Sequence, residues 1–313
     1  MAADHHFEAM GTRARLFVHG GPADLVARLE ARVEELEDAW SRFRPDSDVS
    51  RMNADPGSAT SVSPDTIDLV RHALLASWET GGWFDPTMGV EVAAAGYDRT
   101  FARLTRPTSG FVVSVDTTTD SVTGVRPWRG HSAHIDVDAG RQTVTVPAGI
   151  AFDPGGIGKG RAADLVAEMA SAQGATGVMV DLGGDIRFAG TGPRGGWSVS
   201  IDDPFDRRAA IASFRIPAGG VATSSVGKRR WSHAGAVNHH LLDPSTGTSS
   251  TSDVVSATVL ATEAWWAEAI ATAAVVAGVD RGLELCAATG TTGLLIDAAG
   301  HAHRAELFEA FAC

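Results

Sequence analysis

The chain is short of cysteine, of basic charge and of long apolar runs, and each shortage excludes a class of protein. Only Cys286 and Cys313 occur among 313 residues, too few for a disulfide framework or a cysteine-rich zinc centre. No Cys/His spacing matches a zinc site either. Asp and Glu total 38 against 26 Lys and Arg, a formal charge of −12. A general nucleic-acid binder, or a protein held on anionic lipid, would carry the opposite balance. No apolar stretch approaches the roughly 20 residues that a membrane-spanning helix needs. Residues 1–12 hold no basic segment followed by an apolar run, so no signal peptide is expected. Gly-x-Ser-x-Gly is absent, which removes the serine-hydrolase elbow. A soluble, cytoplasmic globular protein is expected, with length enough for one large domain or two modest ones.

Several elements are legible in what is present. Ala14, Leu16 and Val18 alternate with Arg13, Arg15 and Phe17, which predicts a strand over 13–18, broken at Gly20-Gly21-Pro22. Leu25, Leu29, Val33, Leu36 and Trp40 recur at helical spacing within 24–43, and a polar loop is expected over 44–53. Ser63 as N-cap and Pro64 at the first helical position predict a helix to Glu79, stopped by Gly81-Gly82. Residues 105–148 are rich in Thr, Val and Ser, and short strands are expected at 110–115, 134–137 and 143–146. A glycine-rich turn over 153–160 leads into a helix over 161–173. Strands follow at 178–182, 186–189, 197–201, 210–216 and 293–297, with an alanine-rich helix over 263–277. No fixed-period repeat or clean domain boundary is visible, and the irregular mixture indicates an α+β fold, with residues 1–313 as a single domain.

Three clusters can carry chemistry. Asp153-Pro154-Gly155-Gly156-Ile157-Gly158-Lys159-Gly160 ends at a helix start, where backbone N–H groups and the helix dipole favour an anion and Lys159 adds a point charge. It is not the NTPase phosphate loop, which needs Gly where Asp153 stands and Ser or Thr where Gly160 stands. A tight strand-to-helix turn with an exposed lysine reads the same residues equally well. His239-His240-Leu241-Leu242-Asp243-Pro244 holds two histidines that point opposite ways on a strand, so one of them can face a site as a base. A surface pair leading into an Asp-Pro turn is the alternative. Glu268 and Thr272, four apart, share a helix face where carboxylate and hydroxyl can hold a hard cation, whereas Glu263 falls on another face. On spacing alone an ordinary polar stripe is the better reading of that pair. Trp265 and Trp266 read as core or interface, and His5-His6 as solvated.

Taken in order, the pieces resemble a known family. Ala9-Met10-Gly11-Thr12, Ser41 to Asn53, Phe84-Asp85-Pro86-Thr87-Met88-Gly89, Asp153 to Gly160 with Asp164, Val180 to Asp185, His240 to Gly247 and Ala267 to Thr272 are similar to the FAD:protein FMN transferases, the ApbE-type flavin transferases. Seven pieces in the family's order span most of the chain. The resemblance implies mixed sheets with packed helices, a T-fold-related architecture, and an FAD cleft between two lobes. It implies Mg²⁺-dependent transfer of FMN from FAD to a Thr or Ser hydroxyl of a target flavoprotein, with release of AMP. The alternatives are an FAD diphosphatase, in which water replaces the hydroxyl, and a non-catalytic FAD-binding or trafficking protein. By the same resemblance Met10, Phe43, Phe84, Asp85, Pro86, Asp153, Lys159 and Leu241 line the FAD site. Gly156 through its carbonyl, with Glu268 and Thr272, holds magnesium, and His240 is the base. The family commonly carries Asp where this chain has Glu268, and often a further Asp where Trp265 stands, which implies weaker magnesium binding here.

Overall fold

A computed structural model of the chain describes residues 2–104, 131–193, 196–206 and 208–311. Its centre is an eight-stranded sheet in which every neighbouring pair is antiparallel. The order is Ala2–Ala9, Thr12–Gly20, Ala175–Leu182, Ile186–Gly190, Gly219–Ser225, Val254–Ala261, Thr292–Asp297 and Ala302–Arg304. Seven α-helices occur among the described residues: α1 (Leu25–Trp40), α2 (Asp48–Ala54), α3 (Pro64–Glu79), α4 (Gly89–Ala94), α5 (Gly158–Ala172), α6 (Ala264–Ala277) and α7 (Val279–Ala288). None is long and apolar enough to cross a membrane.

The two faces of the sheet are divided by the alternation along its strands. Ala14, Leu16 and Val18 are buried in the core formed with α1, α3 and α5. Phe17 points the other way and meets Trp197 edge-on, with ring centroids 5.8 Å apart. Trp197 belongs to the hairpin Trp197–Asp202/Ala210–Ile216, which covers the opposite face and brings Trp197 and Phe214 into one core with Phe188 of the sheet. The strand Val254–Ala261 is buried along nearly its whole length because helices and this second core enclose both of its faces. That removes the period-2 signal.

α6 is the central helix. It packs on strands Gly219–Ser225 and Val254–Ala261 and is flanked by α5, α7 and α3. Its alanines allow this crowding. At Gly160 a Cβ would stand 2.5 Å from the Ala264 carbonyl oxygen, so the start of α5 rests directly on the start of α6. Asp164 fixes that contact: its two carboxylate oxygens accept the N–H groups of Ala264 and Trp265, each at 2.9 Å. These are two of the donors that a helix N-terminus leaves without a partner.

Several sequence expectations need correction. α1 ends at Trp40, because Ser41 turns to extended backbone. The segment 44–53 is not all loop: Ser47 accepts the Ser50 N–H and caps α2, which buries Val49 and Met52. Two buried apolar residues in seven give too little periodicity to reveal such a helix. Residues 131–134 form a 3₁₀ turn before a strand at Asp136–Asp138, which starts two residues later than the spacing suggested. The His5–His6 pair lies in the edge strand Ala2–Ala9; His6 is exposed as expected, whereas the His5 ring is half-buried and pairs with Glu30 at 2.8 Å. The strand expected at 110–115 lies outside the described residues, as does Cys313. The helix 64–79 occurs with Ser63 as its cap, and the strands expected at 197–201 and 210–216 occur as Trp197–Asp202 and Ala210–Ile216.

Candidate active site

The glycine turn before α5 is pinned from three sides. Asp153 N–H donates to the Pro86 carbonyl (2.8 Å), and the Asn53 side chain exchanges two 2.8 Å hydrogen bonds with the Phe152 backbone. The Asp153 carboxylate accepts the Gly155 N–H at 2.9 Å. Its other oxygen lies 3.4 Å from Arg42. The Arg42 guanidinium is itself placed 4.5 Å from the ring centroids of both Phe43 and Tyr97, and it donates to the Tyr97 carbonyl. A cation against aromatic faces is well held.

Where this turn meets α6, the backbone comes very close to side chains. A Cβ on Gly156 would stand 3.0 Å from the Phe84 ring and 3.3 Å from Thr272 Oγ1. Thr272 Oγ1 lies 3.1 Å from Ser224 Oγ on the adjacent strand. One turn earlier on α6, Glu268 Oε2 accepts the Gly160 N–H at 2.7 Å and Oε1 accepts from Lys159 Nζ at 2.5 Å. The same Nζ donates to Asp185 Oδ2. Lys159, expected either on phosphate or exposed, is instead half-buried and held between two carboxylates. Burial lowers its affinity for a proton, but Asp185 and then Glu268 outweigh that and hold its pKa above the ordinary value. Burial, followed by the charge of Asp185, pushes the Glu268 carboxyl up against the pull of Lys159.

A cavity of about 70 Å³ opens beside these groups, lined by Trp83, Phe84, Asp85, Met88, Val92, Asp153, Gly155, Gly156, Leu242, Pro244 and Thr272. Asp85 Oδ1 accepts from the Thr87 N–H and hydroxyl, while Oδ2 is buried without a partner. An uncompensated carboxylate oxygen costs free energy unless a cation or a ligand donor meets it. Phe43 stands one layer behind, in the apolar cluster with Met88, Val92 and Leu242. Leu241 packs into the core with Phe188 and Val255, and Leu242 takes the cavity wall instead. Met10 sits in the first hairpin turn at φ 50°, its N–H on Glu37 Oε2, and like Pro86 it is not among the lining residues.

His240 lies two residues before Leu242 and is half-buried, with its Nδ1 shielded from solvent. Its Nδ1 has no hydrogen-bond partner. Burial first, then the charges of Arg229, His239 and Lys159, keep its pKa well below the ordinary histidine value. The imidazole is neutral near pH 7, with one ring nitrogen free to accept a proton. His239 is held away by a 2.9 Å bond to the Ser250 carbonyl, and burial brings its pKa to about 4.

The structure thus gathers Phe84, Asp85, Asp153, Gly156 and Thr272 on one cavity, with Lys159 and Glu268 directly behind it. Arg42, Ser224 and Asp185 were not assigned roles from the sequence. Arg42 and Asp185 lie within recognisable motifs, while nothing in the spacing marks Ser224. Thr272 Oγ1 beside Gly156, like the Glu268 carboxylate one turn earlier on α6, is an oxygen donor, the chemistry a hard divalent cation requires. Among the described residues, no group of three or more His, Cys, Asp or Glu side chains is set to hold a metal.

An antiparallel sheet carrying buried central helices and a glycine-floored acidic cavity is an architecture with solved relatives. The ApbE protein of Thermotoga maritima matches with a TM-score of 0.84 at 27% identity, covering all of both chains. The flavin transferase ApbE of Vibrio cholerae matches at 0.77 and 26%, covering 99% of this chain and 100% of that one. Among curated proteins, the FAD:protein FMN transferases of Vibrio cholerae and Treponema pallidum are each 29% identical, over 278 and 292 residues. Each alignment covers 87% of this chain, and 79% and 77% of the respective relatives. The ApbE family model matches residues 10–295, and the chain belongs to the ApbE family.

Proposed function

We propose that this protein moves the FMN moiety of FAD onto a threonine or serine hydroxyl of a target flavoprotein, with Mg²⁺, and releases AMP. The observation that carries this reading is the meeting of Asp85, Asp153, Gly156 and Thr272 on one cavity that holds the unpartnered Asp85 Oδ2, with the Lys159–Glu268 pair one helical turn from Thr272. The relatives' activity supports it. Magnesium, held by the Gly156 carbonyl, Glu268 and Thr272, would neutralise charge developing on the diphosphate. A space of about 70 Å³ suits a phosphate-sized group rather than a whole dinucleotide, whose pocket typically needs ~300 Å³ or more. FAD would therefore enter with its diphosphate at the glycine turn and extend outward over Phe84, Asp85, Pro86 and Asp153, with Met10, Phe43 and Leu241 supporting the surface behind.

The reaction joins the acceptor oxygen to the FMN-side phosphorus, breaks the bridging P–O bond and expels AMP. A hydroxyl is a weak nucleophile at neutral pH and must lose its proton as it attacks. His240 Nδ1, neutral and unpartnered, takes that proton. The Lys159 ammonium is the cation nearest the turn and supplies positive charge to the phosphates. The acidic, cysteine-poor composition suits an acceptor in the cytoplasm, and residues 1–313 act as one unit.

Chromatography of FAD incubated with the protein, Mg²⁺ and an acceptor flavoprotein tests the reading. AMP should form, and Glu268→Gln or Thr272→Val should suppress it. AMP formed equally fast without acceptor would identify a diphosphatase instead. FAD retained with no AMP at any Mg²⁺ concentration would identify a binding protein.

A further inference from the structure

We propose that Asp185 and Glu268 form a single two-carboxylate cation seat, filled by the Lys159 ammonium in the unloaded protein and by a divalent cation in the loaded one. This rests on the reading above that Glu268 holds the metal. Asp185 is the second carboxylate that the helix itself lacks.

The geometry has three parts. First, both carboxylates converge on one nitrogen: Lys159 Nζ contacts Glu268 Oε1 at 2.5 Å and also Asp185 Oδ2. Their side chains are 3% and 6% exposed, so water does little to screen the two negative charges. With both carboxylates ionised, one ammonium leaves an excess negative charge that a divalent cation would cancel. Second, the two carboxylates come from separate, independently fixed elements. Glu268 is tied to Gly160 N–H at 2.7 Å. Asp185 ends the tight turn after strand Ala175–Leu182, which is closed by Gly184 N–H on Asp181 Oδ1 (2.8 Å) and by Leu182 N–H on the Asp185 carbonyl (3.0 Å). Third, α6 cannot supply a second carboxylate itself. At position 265 it carries a tryptophan whose ring is turned against His72, with centroids 4.6 Å apart.

A hard cation of this kind is usually bound by one or two carboxylates, with waters and substrate phosphates completing its shell. A lysine on a four-carbon flexible stem can leave such a seat and reach a neighbouring phosphate without any backbone change. The seat also reconciles the two positions of Lys159: on carboxylates in the free protein, and on the diphosphate when the site is loaded. Lys159 would then block binding of the cation alone, and cation and FAD would favour each other's binding.

The test is Mn²⁺ binding to the full chain without FAD, followed by electron paramagnetic resonance and by the metal-induced rise in Tm. Asp185→Asn should weaken Mn²⁺ binding about ten-fold or more, the loss expected for one charged ligand. Lys159→Gln, which vacates the seat, should tighten it about ten-fold and enlarge the Tm rise. Asp185→Glu should keep affinity within about three-fold of the parent. Unchanged affinity in Asp185→Asn would show that Asp185 only anchors Lys159, and unchanged or weaker binding in Lys159→Gln would show that the ammonium does not occupy the seat. Either result overturns the proposal. If Asp185→Asn does not fold, the Lys159→Gln measurement decides alone. Glu268→Gln separates the two levels. Parent-like Mn²⁺ binding there contradicts the metal reading itself. Its loss alongside an unaffected Asp185→Asn contradicts only the seat.

Discussion

Gly156 and His240 carry the most weight at the scale of single residues. A methyl group at position 156 would stand 3.3 Å from Thr272 Oγ1 and 3.0 Å from the Phe84 ring, closer than ordinary packing allows. Gly156→Ala should therefore cost about 1–3 kcal/mol of stability, the usual effect of overpacking, and lower turnover far more than it lowers Tm. Parallel measurement of AMP release and thermal midpoint checks this. His240→Ala should leave the fold and FAD retention intact while reducing FMN transfer by about 10²–10⁴-fold, the usual contribution of a positioned base. The pH profile offers an independent check. Burial holds the His240 pKa well below 6.5, so its base form is fully populated from pH 6 to 8. The rate should show no acid limb near 6.5. A limb at that pH, absent in a His240 variant, would contradict the assignment.

At the scale of elements, the seating of α6 on α5 sets the site, because it places Glu268 and Thr272 relative to the glycine turn. Gly160→Ala would drive a Cβ to 2.5 Å from the Ala264 carbonyl oxygen. It should lower stability by about 1–3 kcal/mol and weaken metal binding with it. Asp164→Asn replaces one of two accepting oxygens by an NH₂ group and leaves a helix-start N–H unmet, a loss of about 1–3 kcal/mol. Its pH dependence has a definite sign. Burial raises the Asp164 pKa to about 6, against the pull of the Ala264 and Trp265 N–H groups and Arg187. The folded state thus holds this proton more tightly than the unfolded chain does. The group's contribution to stability is largest at low pH and declines as pH rises from about 4 to about 6, by at most about 3 kcal/mol. The deficit of Asp164→Asn should accordingly be greater at pH 4.5 than at pH 7 in urea unfolding.

The same elements show how far the sequence was legible. α1, α3 and the hairpin 197–216 announce themselves because each buries one face and exposes the other, so their periodicity is intact. The strand Val254–Ala261 was missed because it is covered on both sides, and Gly219–Ser225 because glycine and serine form much of it, with α6 pressed against Gly220. At the site, motif order brought the glycine turn, α6 and His240 into view. It could not reveal that Lys159 spans two carboxylates or that Arg42 holds Asp153, since both depend on contacts between elements distant in the chain.

At the scale of the whole molecule, the residues that would meet FAD are spread along the chain from Phe84 to Thr272 on α6. A ligand that binds only the folded form stabilises it in proportion to the logarithm of its saturation, about 2.7 kcal/mol at a hundredfold excess over Kd. FAD with Mg²⁺ should therefore raise Tm by several degrees, and by more than the sum of the two added separately. The measurement that bears most directly on function is the intact mass of an acceptor flavoprotein incubated with this protein, FAD and Mg²⁺. A gain of one FMN less water on a single threonine or serine, matched by an equal quantity of AMP, is the predicted result. An acceptor of unchanged mass while AMP accumulates would contradict it.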